Sequence, residues 1–124
     1  MARARVARLA TISPDGQPHV VPIVFALEAE TLYSAVDEKP KRTHRLQRLR
    51  DIEANPRVEV LIDEYDEDWS RLWWVKLRGL ARVVDHDERA LELLRAKYEQ
   101  YQAEPPSGPF VVVEIQRRLK WAAA

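Results

Sequence analysis

The sequence contains no cysteine, which excludes disulfide bonds and thiolate-based metal or redox sites. It also lacks a long apolar run, because the longest stretches, 20–27 and 110–115, are far too short to cross a bilayer. The first eight residues alternate arginine with small apolar residues and no apolar segment follows them, unlike a signal peptide. We therefore predict a cytoplasmic protein without a membrane span.

Net charge is absent as well, since 20 basic residues balance 20 acidic ones. A neutral chain does not have the basic surface that general nucleic-acid binding requires, so we predict no nucleic-acid partner. The charges are nevertheless separated: six Lys or Arg residues fall at 39–50 and six Asp or Glu residues at 59–68. Such blocks favour a local anion site, although a solvated basic helix face explains the charges alone equally well.

No constellation of catalytic side chains stands out. His19, His44 and His86 have no companions at metal-ligand spacing, and no Ser-His-acid set or carboxylate pair suggests hydrolysis. The acidic stretch 63–68 lacks the glycine that a calcium-binding loop needs. We predict no metal site and leave the catalytic residues unassigned, so that any reactive group belongs to a bound cofactor.

The length of 124 residues suits one domain, which we place at 1–124. Strand-like residues 6–12 and 19–27 flank the turn sequence Ser13-Pro14-Asp15-Gly16, which predicts a hairpin. Pro22 lies inside the second strand and indicates an edge, a bulge or a ligand-facing kink. Further strands are predicted at 31–36, 57–63, 69–84 and 110–115, with Gly79 as a possible bulge.

Two helices are predicted between these strands. The first runs over 43–54, with Thr43 as N-cap and Asn55-Pro56 as its stop, and the second runs from Asp85 or Asp87 to about residue 101. The order is β-β-β-α-β-β-α-β. It predicts a mainly β (α+β) domain, a small barrel of about six antiparallel strands with two main helices.

The basic block is the most informative segment. Lys39, Lys41 and Arg42 precede a helix N-terminus, where free N–H groups, the helix dipole and basic side chains together favour a phosphate.

The tryptophans give a second clue. Trp73 and Trp74 are adjacent, so on a strand one fills the barrel while the other needs a second apolar surface, such as a subunit interface. Trp69 and Trp121 are candidates for lining a planar ligand, although ordinary packing is the commoner role of a single tryptophan.

Several segments together match a known pattern. They are the hairpin 5–22, the stretch 31–37 with Lys39-Pro40-Lys41-Arg42-Thr43 after it, Asn55-Pro56-Arg57-Val58, and 68–75. The sequence resembles the pyridoxamine 5′-phosphate oxidase-like split β-barrels over nearly its whole length. The segments Lys-Pro-Lys-Arg-Thr and Trp-Ser-Arg-Leu-Trp-Trp-Val are similar to the branch usually described as F420-dependent enzymes.

This resemblance implies an FMN-binding-like split barrel that forms a homodimer, with two cofactor sites between the barrels and a small-molecule substrate. The strands that contain Val21–Pro22 and Ser34–Val36 would flank the flavin-type ring. The implied cofactor-binding residues are Val21, Pro22, Ser34, Ala35, Val36, Lys39, Lys41, Arg42, Thr43, Arg48, Trp69 and Ser70.

Among these residues, Lys41, Arg42 and Thr43 would grip the phosphate with Lys39 close by. Trp69 and Ser70 would approach the cofactor of the partner subunit. The C-terminal substrate motif of true pyridoxamine phosphate oxidases is missing, and residues 117–120 resemble it only weakly. Vitamin B6 oxidation is therefore not the expected activity.

Three functions remain open. The first is a coenzyme F420-dependent oxidoreductase, because the basic strip 39–48 suits a long acidic cofactor and Arg45 and Arg48 lie one helical turn apart. The second is an FMN-binding reductase or oxidase of the same fold. The third is a carrier that binds a flavin or F420 without turnover.

Overall fold

The computed structural model of the protein describes residues 1–36 and 47–123. Seven strands lie within these residues: β1 (Ala7–Ile12), β2 (Pro18–Ile23), β3 (Ala26–Glu28), β4 (Thr31–Ala35), β5 (Arg57–Glu64), β6 (Trp73–Val84) and β7 (Phe110–Ala122). The same residues form the helices α1 (Gln47–Ala54), α2 (Glu88–Lys97) and α3 (Glu99–Ala103), and a 3-10 turn at Trp69–Arg71.

The strands form one antiparallel sheet in the order β2-β1-β5-β6-β7-β4-β3. The sheet curls into a split barrel, which confirms the predicted mainly β fold. Seven strands are present where about six were expected, because the predicted strand 19–27 is divided into β2 and β3. The last strand continues to Ala122, beyond the predicted end at 115.

The barrel interior is a continuous apolar cluster. Every second residue of the strands points inward, so Leu9, Val60, Leu77 and Val113 from four different strands are fully buried together. Helix α1 contributes Leu49 and Ile52 to the same cluster. The interior therefore holds the strands and α1 together through the hydrophobic effect.

Helices α2 and α3 cover one part of the outer sheet surface. Leu94 of α2 and Tyr101 of α3 pack with Ala35 of β4 and Phe110 of β7 in a second buried cluster. Among the described residues, no helix covers the outer surface of β2, β1, β5 and β6. That surface keeps large apolar side chains in solvent: Val20 is 64%, Ile12 38% and Leu80 38% exposed.

The second predicted helix is divided into α2 and α3. Of the two candidate caps, Asp85 and Asp87, it is Asp87 that caps α2, with its Oδ1 accepting from the Ala90 N–H at 2.9 Å. Tyr98 then leaves the helical conformation, with φ −113° and ψ 120°, and α3 begins at the next residue. The prediction of one continuous helix to residue 101 is wrong, because Tyr98 turns inward and its hydroxyl bonds to the backbone of Phe25 and Arg5.

Gly79 lies at a β-bulge between β6 and β7, as its sequence position suggested. Arg78 pairs with Arg117 while Gly79 pairs with Ile115, so β7 carries one extra residue, Gln116. A Cβ atom at position 79 would lie 2.3 Å from the carbonyl oxygen of Glu114. Only glycine allows the two strands to approach this closely.

The predicted strand 69–84 begins later than expected. Residues Trp69–Arg71 form the 3-10 turn, and the strand starts at Trp73. The turn forms because Asp68 caps it, its carboxylate accepting from the Ser70 N–H at 3.1 Å.

Candidate functional site

Val21 and Pro22 lie on β2, an edge strand of the sheet. Val21 packs partly against the inner cluster, whereas Pro22 is exposed on the outer surface. β1 pairs with one side of β2, so the other side presents backbone groups that no strand in the described sheet engages. The two residues thus border an open strand edge, which is one of the three arrangements that the position of Pro22 suggested.

Ser34, Ala35 and Val36 are all buried. The Ser34 hydroxyl donates to the Val24 carbonyl at 2.7 Å, and the Val36 N–H donates to the Pro109 carbonyl at 3.0 Å. Ala35 belongs to the cluster beneath α2. These three side chains face the protein interior, so this stretch can shape a neighbouring cleft through its backbone but not through exposed side chains.

The predicted phosphate grip, Lys41, Arg42 and Thr43, lies outside the described residues, as does Lys39, which was expected close by. The role of these residues stays a prediction. Arg48 is described: it lies in the first turn of α1 and is half-buried. The order of the chain leads from the basic segment directly into Gln47, where α1 begins. The position of α1 is therefore the structural guide to this part of the site.

Helix α1 is tied to the sheet by a buried carboxylate that the sequence did not single out. Asp51 Oδ2 accepts from the Thr11 hydroxyl of β1 at 2.7 Å, and Asp51 Oδ1 accepts from the Gln47 side-chain amide at 2.8 Å. The one sequence feature that could have indicated the burial of Asp51 is its position between the inward-facing residues Leu49 and Ile52. From the sequence alone, an acidic residue at this position is interpreted as exposed on the helix surface, because its hydrogen-bond partner Thr11 is 40 positions away.

Trp69 and Ser70 form the tip of an exposed turn. The Ser70 hydroxyl donates to Asp68 Oδ1 at 2.7 Å, and the Trp69 indole N–H donates to the Tyr65 hydroxyl at 3.2 Å. The Trp69 side chain is 67% exposed. Hydrogen bonds thus hold the two residues in a defined conformation at the surface. Their predicted approach to a partner's cofactor stays a prediction.

The adjacent tryptophans separate onto the two faces of β6. Trp73 packs partly against the inner cluster and donates its indole N–H to Glu64 Oε1 at 3.1 Å. Trp74 stacks on Trp121 of β7, with ring centroids 6.5 Å apart and planes inclined by 18°. The Lys76 ammonium lies 5.5 Å from the centre of the Trp74 ring. Trp121 therefore joins an outer aromatic pair.

Two of the surface grooves lie beside residues already described. One, of about 310 Å³, lies at the ends of β6 and β7 beside Trp73, Trp74 and Trp121. The other, of about 510 Å³, lies on the uncovered outer surface, where Ile12 and Leu80 contribute apolar walls. The ion pair between Arg78 Nε and Glu59 Oε2, at 2.7 Å, also borders this larger groove.

The histidines do not form a catalytic or metal centre in the described part of the chain. His19 Nε2 lies 3.1 Å from the Ser13 hydroxyl, and His86 Nε2 lies 3.0 Å from Glu88 Oε2. The Gln17 N–H and the Ser13 hydroxyl both bond to Asp15 and lower the pKa of its carboxyl group. Residues 1–36 and 47–123 contain no group of three or more acids or histidines placed to hold a metal ion.

None of the helices formed by the described residues has the length and apolar character needed to span a membrane.

Comparison with known proteins gives a consistent picture. The sequence matches the family described as pyridoxamine 5′-phosphate oxidase over residues 1–118. No curated protein sequence matches it. Among solved structures, one titled F420 reductase is 28% identical, with a TM-score of 0.70, and the match covers 95% of this chain and 91% of that one.

Two further structures share the fold at lower identity. A FAD-binding protein from Mesorhizobium loti is 24% identical, with a TM-score of 0.69 and coverage of 96% of this chain and 86% of that chain. HutZ, titled a heme storage protein from Vibrio cholerae, is 16% identical, with a TM-score of 0.71 and the same coverage values. The fold therefore occurs in proteins whose titles describe different cofactors.

Proposed function

Because the chain belongs to the pyridoxamine 5′-phosphate oxidase family, we propose that it is a coenzyme F420-dependent oxidoreductase. It acts as a homodimer and transfers a hydride between the deazaflavin and a small organic molecule. FMN is the alternative cofactor. The similarity to the structure titled F420 reductase supports F420 as the first choice.

The observation that carries the proposal is the open edge of β2, together with the hydrogen bond that fixes α1 to the neighbouring strand β1. A flavin-type ring combines an apolar face with a rim of hydrogen-bonding atoms. Val21 and Pro22 supply apolar surface, and the open strand edge supplies backbone donors and acceptors. Thr11 and Asp51 bind α1 to β1, the direct neighbour of β2, and this keeps Arg48 on the helix that is fixed to this sheet edge.

The choice of F420 over FMN depends on charge. F420 carries a phosphodiester and an acidic tail, and five Lys or Arg residues occur at 39–48. The terminal phosphate of FMN needs only a compact cradle, for which Lys41, Arg42 and Thr43 would suffice. The extra cations up to Arg48 favour the longer anion through charge-assisted hydrogen bonds.

When bound, the cofactor supplies the hydride chemistry. The protein supplies position: the β2 edge orients the ring, the basic segment holds the phosphate, and the buried backbone of 34–36 keeps the neighbouring strand fixed. Orientation of two reactants can account for a large part of the rate enhancement. The described side chains give no reason to assign a separate acid or base.

The uncovered outer surface of β2, β1, β5 and β6 is the surface that we assign to the homodimer. Its exposed apolar residues Ile12, Val20 and Leu80 are spread over three strands, and apolar patches of this kind mark interaction surfaces. Glu59 and Arg78, which line the groove on this surface, neutralise each other in an ion pair. In such a dimer, Trp69 and Ser70 of one protomer would reach towards the cofactor of the other.

Titration of the purified protein with F420 and with FMN tests the proposal, with binding followed by cofactor fluorescence and by calorimetry. We expect saturable binding with a preference for F420. Replacement of Lys41 and Arg42 by alanine should weaken it about ten-fold or more, because a hydrogen bond to a charged group contributes about 1.5–3 kcal/mol. Arg89→Ala, which removes an exposed cation from α2, is the control and should leave binding unchanged.

Two results would contradict parts of this proposal. Failure of both cofactors to bind would exclude the flavin-type site altogether. Tight binding of F420 without turnover across a panel of organic acceptors would instead favour the carrier function, whereas sustained turnover on any acceptor would exclude it.

A further inference from the structure

Asp51 is an acidic side chain with no exposed surface. Burial of a carboxylate is costly unless hydrogen bonds replace its hydration. Here the Thr11 hydroxyl and the Gln47 amide donate to the two different carboxylate oxygens, at 2.7 and 2.8 Å. Both contacts are short and specific.

These two hydrogen bonds fix the orientation of α1 on the sheet. The apolar contacts of the helix alone do not fix it. Leu49 and Ile52 attach α1 to the inner cluster, but apolar packing is non-directional and tolerates small rotations and shifts of a short helix. Hydrogen bonds depend on direction as well as distance. Asp51 joins β1 to the first residue of α1 and so fixes the helix in both rotation and height above the strand.

The end of α1 that these hydrogen bonds fix is its N-terminal end, which carries Arg48, a predicted cofactor-binding residue. Arg48 precedes Asp51 by three residues and lies on the neighbouring helical turn. In the sequence, the basic segment comes immediately before Gln47, one of the two residues that bind the Asp51 carboxylate. A shift of α1 would therefore move Arg48 and the junction with the basic segment together.

We propose that Asp51 is a positioning residue for the cofactor's phosphate group, acting through Thr11 and Gln47 to set the pose of α1. This inference rests on the proposed function. Asp51 itself does not touch the cofactor. It controls the affinity for the phosphate by keeping α1 in the orientation that phosphate binding requires.

The decisive variant is Thr11→Val, which removes the hydroxyl donor while keeping the size and branching of the side chain. Thr11→Ser restores the donor. Each variant is titrated with two ligand pairs that differ in the phosphate: FMN against riboflavin, and F420 against its phosphate-free deazaflavin chromophore. We expect Thr11→Val to weaken the phosphate-bearing ligand about ten-fold and its phosphate-free form less than about two-fold, with recovery in Thr11→Ser.

A second measurement needs no cofactor. Hydrogen exchange should become about ten-fold faster in the α1 amides of both Thr11→Val and Asp51→Asn, and should stay unchanged in β6 and α2. Glu53→Gln changes an exposed acid on the same helix and serves as the matched control. Unchanged exchange in α1 would overturn the proposed clamp.

The two proposals fail in different ways. If the wild-type protein binds neither cofactor, the proposed function is wrong and the positioning role falls with it. If the wild type binds but Thr11→Val weakens phosphate-bearing and phosphate-free ligands equally, only the positioning role of Asp51 is overturned.

Discussion

The hydroxyl of Tyr98 completes the backbone hydrogen bonding of Phe25, a residue 73 positions earlier. It accepts from the Phe25 N–H at 3.1 Å and lies within donating distance of the carbonyls of Phe25, at 3.1 Å, and Arg5, at 2.9 Å. Phe25 stands between β2 and β3, where neither strand ladder engages its backbone. A side chain thus replaces a strand partner where the barrel is split.

Removal of this hydroxyl should destabilise the fold. Tyr98→Phe leaves the Phe25 N–H buried without an acceptor, which costs about 1–3 kcal/mol in the free energy of unfolding. Urea denaturation measures the change. Tyr65→Phe is the matched control, because the Tyr65 hydroxyl is exposed and its loss should cost less than about 0.5 kcal/mol. Equal losses in both variants would contradict the role of Tyr98.

Lys97 should make stability depend on pH. Its ammonium donates to the Phe25 carbonyl at 2.9 Å and lies 3.6 Å from the centre of the Phe25 ring. Burial, followed by the charge of Arg5, lowers the pKa of Lys97 from 10.5 to about 8. Tyr98 is the other titratable group at this position, and burial raises the pKa of its hydroxyl.

The sign follows from proton binding. Between about pH 8 and the ordinary pKa of lysine, the unfolded chain holds a proton that the folded protein has lost, so the free energy of unfolding rises with pH. Below pH 8 the cost of the buried charge is fully present. Urea denaturation at pH 7 to 9.5 should show the rise, Lys97→Met should flatten it, and the exposed control Lys120→Met should keep it. A rise that persists in Lys97→Met would assign it to another group.

Gly79→Ala should disturb the pairing of β6 with β7. The new methyl group would lie 2.3 Å from the Glu114 carbonyl oxygen, so the strands must separate or the bulge must move. Overpacking of this kind costs about 1–3 kcal/mol. Arg82→Ala, on the same strand, removes only an exposed ion pair and should cost less than about 1 kcal/mol. A Gly79→Ala protein as stable as the wild type would show that β7 can yield at this point.

Charges placed on the uncovered outer surface should prevent dimer formation. Val20→Asp or Leu80→Asp would bury an unpaired carboxylate in the assigned interface, at a cost well above that of losing an apolar contact. Sedimentation equilibrium should show a dimer for the wild type and a monomer for both variants. Ala96→Asp places the same charge on an exposed position of α2 and should remain dimeric. A monomeric wild type would exclude the interface.

Local chemistry made much of the fold predictable. The hairpin follows from Ser13-Pro14-Asp15-Gly16: Gly16 has φ +89° and donates its N–H to the Ser13 carbonyl at 2.8 Å. Asp87 caps α2 and Asn55-Pro56 ends α1, as their residue types indicated. Each of these features depends on residues within a few positions of one another.

Several of the errors come from contacts between residues far apart in sequence. The strand 19–27 reads as continuous until Tyr98 is known to bond Phe25, and the same contact interrupts the helix expected to reach 101. Asp51 looks like a surface acid until Thr11, 40 positions earlier, is found beside it. For the site, the resemblance named 34–36, but only the structure shows that those side chains face inward.

The position of β7 has a consequence for the order in which the barrel assembles. β7 lies between β6 and β4, although it follows the six other described strands in the sequence. During synthesis, β1, β2, β5 and β6 can pair with one another, and β3 can pair with β4, but the two groups share no ladder until β7 enters. Closure is therefore a late, non-local event, of the kind that slows folding. Until then the nascent chain exposes β6 and β4 as two unpaired edges.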